Sequence, residues 1–219
     1  MRGPHTVSDV MTHTAVAVGR DAPFKDIVTL MQEWKVSALP VLEGEGRVVG
    51  VVSEADLLLK EEFRDSDPDR LTQLRRLPDL AKAGALTAAD VMTAPAVTVH
   101  PGATLGEAAR IMARRRVKRL PVVNAEGLLE GVVSRADLLK VFLRTDEELA
   151  EEVRRDVVEP LLPAFRGKVG VRVSNGVVTL TGRVVNTSVV PLATRMARTV
   201  EGVVDVEWNL ADETTAVGV

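Results

Sequence analysis

The chain has 219 residues, with 28 Lys and Arg against 31 Asp and Glu, a net charge of −3 and a pI near 5.7. Hydrophobic residues make up 46% and charged residues 27%, an ordinary globular composition, and no global positive field draws the chain to nucleic acid or anionic lipid. The lack of cysteine excludes disulfides, thiol catalysis and cysteine-ligated zinc.

This length allows one large domain or two smaller ones. The N-terminal stretch MRGPHTVSDVMT has no apolar core of the kind a secretory signal needs. Apolar runs such as VVGVV fall far short of the roughly 20 residues that span a bilayer. The expectation is therefore a soluble, cytoplasmic protein, in which the glycosylation pattern Asn186-Thr187-Ser188 carries no meaning.

From Asp9 onward the chain repeats itself. Asp9–Leu58 aligns without a gap on Asp90–Leu139, 81 positions later, and about 23 of the 50 aligned residues are identical, far beyond chance. DVMT at 9–12 returns at 90–93, VSALPVL at 36–42 returns as VKRLPVV at 117–123, and GVVSEAD at 50–56 returns as GVVSRAD at 131–137. Each copy predicts the order β-α-β-β-α. A short extended piece (AVAV, AVTV) precedes a helix whose apolar face in the first copy is Phe24, Ile27, Val28, Met31 and Trp34, with Trp34 expected in the core. In the second copy Thr104 and Glu107 have the T-x-x-E spacing of a capping box. Two strands then follow, joined in the first copy by a turn at Gly44–Gly46, and a closing helix begins at the serine. Neither copy alone closes a large core. Residues 60–87 read as a charged, partly helical connection.

After residue 145 the pattern changes. Residues 146–162 predict a helix capped by Asp146, with Leu149, Val153 and Val157 inward. Alternating valines flank Asn175-Gly176, a strong two-residue hairpin signal. Residues 187–200 predict a helix with Leu192, Met196 and Val200 inward, and 203–210 a last strand ending near Trp208 at the rim. The order α-β-β-α-β in about 65 residues makes a second small domain.

The repeated phrase has two readings. Ser53/Asp56 and Ser134/Asp137 have the S-x-x-D spacing of a helix cap and satisfy it with no ligand. The same residues suit a ligand, because a serine hydroxyl can donate to phosphate or sugar oxygen and an aspartate can accept from both hydroxyls of a ribose.

Taken together, the paired pattern DVMT … LPV(L/V) … GVVS.AD resembles a tandem of cystathionine-β-synthase (CBS) domains, a Bateman module. The resemblance covers roughly 7–60 and 88–143. It implies an adenosine nucleotide or related compound in clefts between the copies. Asp56 and Asp137 would hold ribose, and Ser53 and Ser134 would lie near phosphate or sugar. Ala38, Pro40 and Val41, with Arg119, Pro121 and Val122, would line adenine pockets, and Thr12 and Thr93 would close them. The copies differ before the strand, where the second has Lys118 and Arg119, positions that reach phosphates in nucleotide-binding relatives. Arg110, Arg114, Arg115 and Arg116 read as a solvated helix face.

Other chemistry finds little support. GEGRVVG lacks the G-x-G-x-x-G spacing, and no G-x-S-x-G, P-loop or H-E-x-x-H is present. His5, His13 and His100 have no i,i+4 partner, so no metal site is expected. With no tyrosine, four Phe and two Trp, the chain lacks the aromatics of a single-strand platform, and no nucleic-acid partner is expected.

The C-terminal segment, about 146–212, is similar to a BON domain through Gly176, Val178, Leu180, Gly182 and Val184 and through the run from Val200 to Leu210. That resemblance implies contact with phospholipid or another hydrophobic partner. The sequence thus predicts an α/β (α+β) protein: tandem CBS repeats over 1–145 (7–60, a connection at 61–87, and 88–143), a BON domain at 146–212 and a tail at 213–219. The expected function is a non-enzymatic regulatory sensor, homodimeric through its CBS pair and needing no cofactor, that binds AMP, ADP, ATP, NAD or S-adenosylmethionine as a regulatory ligand and relays this through the BON domain. The alternative is a ligand-independent dimerisation scaffold whose BON domain tethers a membrane surface or hydrophobic partner.

Overall fold

The computed structural model describes residues 5–62, 86–161, 165–184 and 188–210; most of the expected connecting helix within 60–87 and the tail at 213–219 lie outside them. The chain forms two compact units, one spanning Thr6–Leu138 and one formed by Leu139–Val219 with Met1–His5.

In the first unit each copy builds the predicted order. Copy one has β1 (Val18–Gly19), α2 (Phe24–Trp34), β2 (Ala38–Glu43), β3 (Arg47–Ser53) and α3 (Glu54–Glu62), preceded by one turn of helix, α1 (Val7–Val10). β1 runs parallel to β2, and β2 antiparallel to β3. In copy two, α4 (Ala88–Val91) and α5 (Leu105–Arg115) precede β4 (Arg119–Val123), β5 (Leu129–Ser134) and α6 (Arg135–Leu138), with Val99 bridging Val122 where β1 has its strand. The predicted capping box starts α5, with the Glu107 N–H donating to Thr104 Oγ1 at 3.2 Å and the Thr104 N–H to Glu107 Oε2 at 2.8 Å. Both long helices stop on a left-handed residue at matched positions, Lys35 and Arg116. That early stop corrects the expectation for Trp34, which is 56% exposed, whereas Ile27 and Met31 are buried.

The short helices α1 and α4 cross to the other copy. Val7 and Ser8 donate to the carbonyls of Ala103 and Pro101, and Ala88 and Ala89 donate to those of Ala22 and Arg20. The core of copy one accordingly contains Ile27, Leu39, Val41 and Val52 together with Ala88 and Val91. Full burial of an aliphatic side chain contributes about 1.5–3 kcal/mol, so the core of copy one is not complete without the leading segment of copy two. Each hairpin also joins its counterpart, through Val48 N–H to the Gly127 carbonyl and Leu129 N–H to the Gly46 carbonyl, both at 3.0 Å.

The second unit has α7 (Asp146–Val153), β6 (Phe165–Ser174), β7 (Val177–Val184), α8 (Val189–Arg198) and β8 (Asp205–Leu210). β7 lies between β6 (antiparallel) and β8 (parallel), over a core of Leu149, Val153, Val157, Leu180, Ala193 and Ala197. After α7 the chain continues through a π-type turn at Arg154–Val158. Two expectations are corrected. Thr145, not Asp146, caps α7, and α8 turns Ala193 and Ala197 inward beside the expected Met196 and Val200, while Leu192 is 50% exposed.

Candidate functional site

Strand alternation sorts the predicted residues onto two faces. Leu39 and Val41 in β2, and Leu120 and Val122 in β4, are 0% exposed. Ala38 and Pro40 point to the opposite face, paired with Ser53 and Val51 of β3, and Arg119 and Pro121 pair with Ser134 and Val132 of β5. Val41 and Val122 are thus core side chains, and Pro40 and Pro121 on the opposite face are buried as well. Ala38, Pro40 and Ser53, and Arg119, Pro121 and Ser134, form two matching faces.

A leading segment from the other copy lies along each face. Thr93 exchanges both backbone hydrogen bonds with Val51, at 2.9 and 3.1 Å, and Thr12 exchanges both with Val132, each at 3.0 Å. The repeated glycine of GVVS makes this approach possible. A Cβ on Gly50 would lie 2.5 Å from Met92 Sδ, and a Cβ on Gly131 would lie 2.6 Å from the Thr12 carbonyl oxygen. Sequence reading passed over these glycines, although both copies carry one just before VVS.

The serine–aspartate pairs close the same face. Ser53 donates to Asp56 Oδ2 from its N–H at 2.9 Å and its hydroxyl at 2.6 Å, and Ser134 does the same to Asp137 Oδ2 at 2.8 and 2.6 Å. The capping reading therefore holds. It does not exhaust the site, because a carboxylate offers about four acceptor positions on two oxygens. Asp56 Oδ1 accepts from the hydroxyl of Thr93 at 3.2 Å, so this site draws side chains from both copies.

The two sites differ in charge. Lys118 and Arg119 make no ion pair with any described carboxylate, and Arg119 stands directly across from Ser134. Ser37 and Ala38 hold the matching places in copy one. Backbone geometry is shared, since the Lys118 carbonyl accepts from Arg135 N–H and the Ser37 carbonyl from Glu54 N–H, both at 3.1 Å.

The DVMT aspartates serve the scaffold. Asp9 accepts from Thr6, and Asp90 from Thr87 and Leu86. The Thr87 hydroxyl, with the Thr87 and Leu86 N–H groups, holds the Asp90 carboxyl below its ordinary range. Of the three histidines, His5 donates its N–H to Glu201 Oε2 at 2.9 Å, with Nδ1 2.5 Å from the same oxygen.

The CBS domain family matches residues 7–61 and 88–144, just over half of the chain, and the BON domain family matches 145–211. An uncharacterized protein of Methanocaldococcus jannaschii is 31% identical over 153 residues, covering 63% of this chain and 90% of its own length. The chloroplastic CBS domain-containing protein CBSX2 of Arabidopsis thaliana is 30% identical over 161 residues, 67% of each chain. The crystal structure of CBSX2 in complex with AMP superposes with a TM-score of 0.56 at 30% identity, covering 64% of this chain and 97% of that one.

Proposed function

This chain belongs to the CBS-domain family, with two CBS domains followed by a BON domain, and from that premise we propose that it is a non-catalytic sensor of an adenosine-containing ligand. Asp137 accepts from the ribose hydroxyls, Ser134 stands beside the sugar or phosphate, and Pro121 offers an apolar surface to the base. Lys118 and Arg119 take the phosphates. Asp56, Ser53, Ala38, Pro40 and Thr93 form the equivalent, uncharged site in copy one. The observation that carries this reading is Arg119 placed across from Ser134, with Asp137 three residues on. A phosphate donor and a sugar-hydroxyl acceptor thus share one face. The AMP complex of CBSX2, similar in sequence and fold, supports the ligand class.

A ligand held between two copies ties them together and shifts any equilibrium between their arrangements by its differential affinity. In this reading the chain is a homodimer through its paired copies, for which the exposed apolar side chains Trp34 and Leu58 provide surface. The BON unit relays the change to a hydrophobic or phospholipid partner, for which Leu192 and Val204, 50% and 63% exposed, are available. Among the described residues no helix is long and apolar enough to cross a membrane.

Thermal unfolding of nucleotide-free protein with AMP, ADP, ATP, NAD and S-adenosylmethionine tests the reading. One of these raises the Tm in a concentration-dependent manner. A flat response across all five favours the ligand-independent scaffold. Vesicle co-sedimentation over a range of salt tests the BON side, and no pelleting with any lipid composition removes a direct membrane role.

A further inference from the structure

A surface groove of about 530 Å³ lies in copy two, away from the serine–aspartate face, lined by Thr98, His100, Glu107, Arg110 and Arg114 over Val99, Ala103 and Ile111. We propose that this groove is a second binding site, for a small organic phosphate whose anion is held by Arg110 and Arg114 and whose apolar part rests on Val99, Ala103 and Ile111. It goes beyond the adenosine reading and uses none of the same side chains.

Three observations carry it. First, Arg110 and Arg114 are four residues apart on α5, so their guanidinium groups share one face, and neither forms an ion pair with a described carboxylate, Arg110 acting on Glu107 through its charge alone. Like charges at this spacing repel, and a bound dianion removes that repulsion while receiving charge-assisted hydrogen bonds from a fork-shaped donor. The acid in the groove, Glu107, is turned to the start of its own helix, where its carboxylate takes the Thr104 N–H at 2.8 Å. Second, His100 Nδ1 accepts the Gly102 N–H at 3.1 Å, which makes Nε2 the donor of the neutral ring. Third, the duplication supplies an internal control. Where copy two has Thr98, His100, Arg110 and Arg114, copy one has Ala17, Gly19, Thr29 and Glu33 at the matched positions. The apolar floor is kept, with Val18, Ala22 and Leu30 matching Val99, Ala103 and Ile111. The shared fold does not require these polar changes, since copy one forms the same helix without them.

The test is a calorimetric and NMR titration of the full chain with phenyl phosphate and, separately, inorganic phosphate at constant ionic strength. The expected result is saturable binding of phenyl phosphate, tighter than inorganic phosphate, with amide shifts at His100, Gly102 and Arg110. Arg110→Gln/Arg114→Gln should weaken it about tenfold or more. Arg115→Gln, on the same helix outside the groove, and Lys118→Gln/Arg119→Gln, which removes the phosphate donors of the proposed nucleotide site, should leave it unchanged. Equal weakening by Arg115→Gln means diffuse charge attraction and overturns the site. So does sensitivity to Lys118→Gln/Arg119→Gln, which places the phosphate in the other cleft, and so does equal affinity for inorganic phosphate, which removes the organic ligand.

Discussion

The hydroxyl of Thr93 donates to Oδ1 of Asp56 over 3.2 Å, although the two residues come from different copies of the repeat. A ligand that uses Asp56 therefore depends on the second copy. Thr93→Val should weaken binding at the Asp56 site by about three- to tenfold, the effect of losing one hydrogen bond of about 1 kcal/mol that orients a carboxylate. Binding at Asp137 should not change. Calorimetry on the variant, with Asp137→Ala as background, reads the effect directly.

The glycines under the crossing segments should not tolerate alanine equally. At Gly131 the new Cβ meets a backbone carbonyl oxygen, Thr12 O, at 2.6 Å, whereas at Gly50 it meets the side chain of Met92. A thioether can move aside; a backbone held by two hydrogen bonds cannot. Gly131→Ala should cost about 2–3 kcal/mol and Gly50→Ala about 1 kcal/mol, measured by urea unfolding.

Asp146 fastens the hairpin of the BON unit. Its carboxylate accepts from the N–H groups of Asn175 at 2.8 Å and Gly176 at 2.9 Å, in a turn where both residues have positive φ. Asp146→Ala should destabilise this unit by about 1.5–3 kcal/mol, and Asp146→Asn, which keeps one acceptor, should recover part of the loss. Hydrogen exchange at the amides of 175 and 176 should accelerate in the alanine variant.

Asp90 should titrate below its ordinary value of 3.8, because the Thr87 hydroxyl and the Thr87 and Leu86 N–H groups favour its charged form. A carboxyl whose folded pKa lies below its unfolded one stabilises the fold fully above the unfolded value, about 3.9. That stabilisation is lost as pH falls through the lower, folded pKa. NMR titration of the carboxyl carbon should give a midpoint under 3.8, and Thr87→Val should move it upward, toward that value.

Much of the fold was legible because the repeat presents each local signal twice. The helix over Phe24–Trp34, the hairpins and the Asn175-Gly176 turn follow from periodicity and turn chemistry. The exchange of leading segments was not legible. DVMT is identical in both copies, so either pairing satisfies the local pattern, and only the tertiary structure selects the crossed one. Trp34 misled because its spacing from Met31 matches the buried face, while the left-handed stop at Lys35 ends the helix beside it. Asp146 misled because an acid at a helix start looks like a cap; Thr145 has that role, which frees the carboxylate for the hairpin. The site was partly legible. Period-two alternation puts Ala38 and Pro40 on one face and Leu39 and Val41 on the other, while the burial of Pro40 follows only from the packing of the folded chain. Arg110 and Arg114 read as a solvated helix face from the sequence, since the segment at Thr98–His100 comes beside them only in the folded chain.

The most direct test of the sensor reading is calorimetric titration of nucleotide-free protein with AMP, beside Asp56→Ala and Asp137→Ala. The expected result is micromolar binding that Asp137→Ala reduces at least tenfold, with Lys118 and Arg119 making that site the tighter of the two. Binding that survives both substitutions unchanged, or no binding by folded protein, would contradict it.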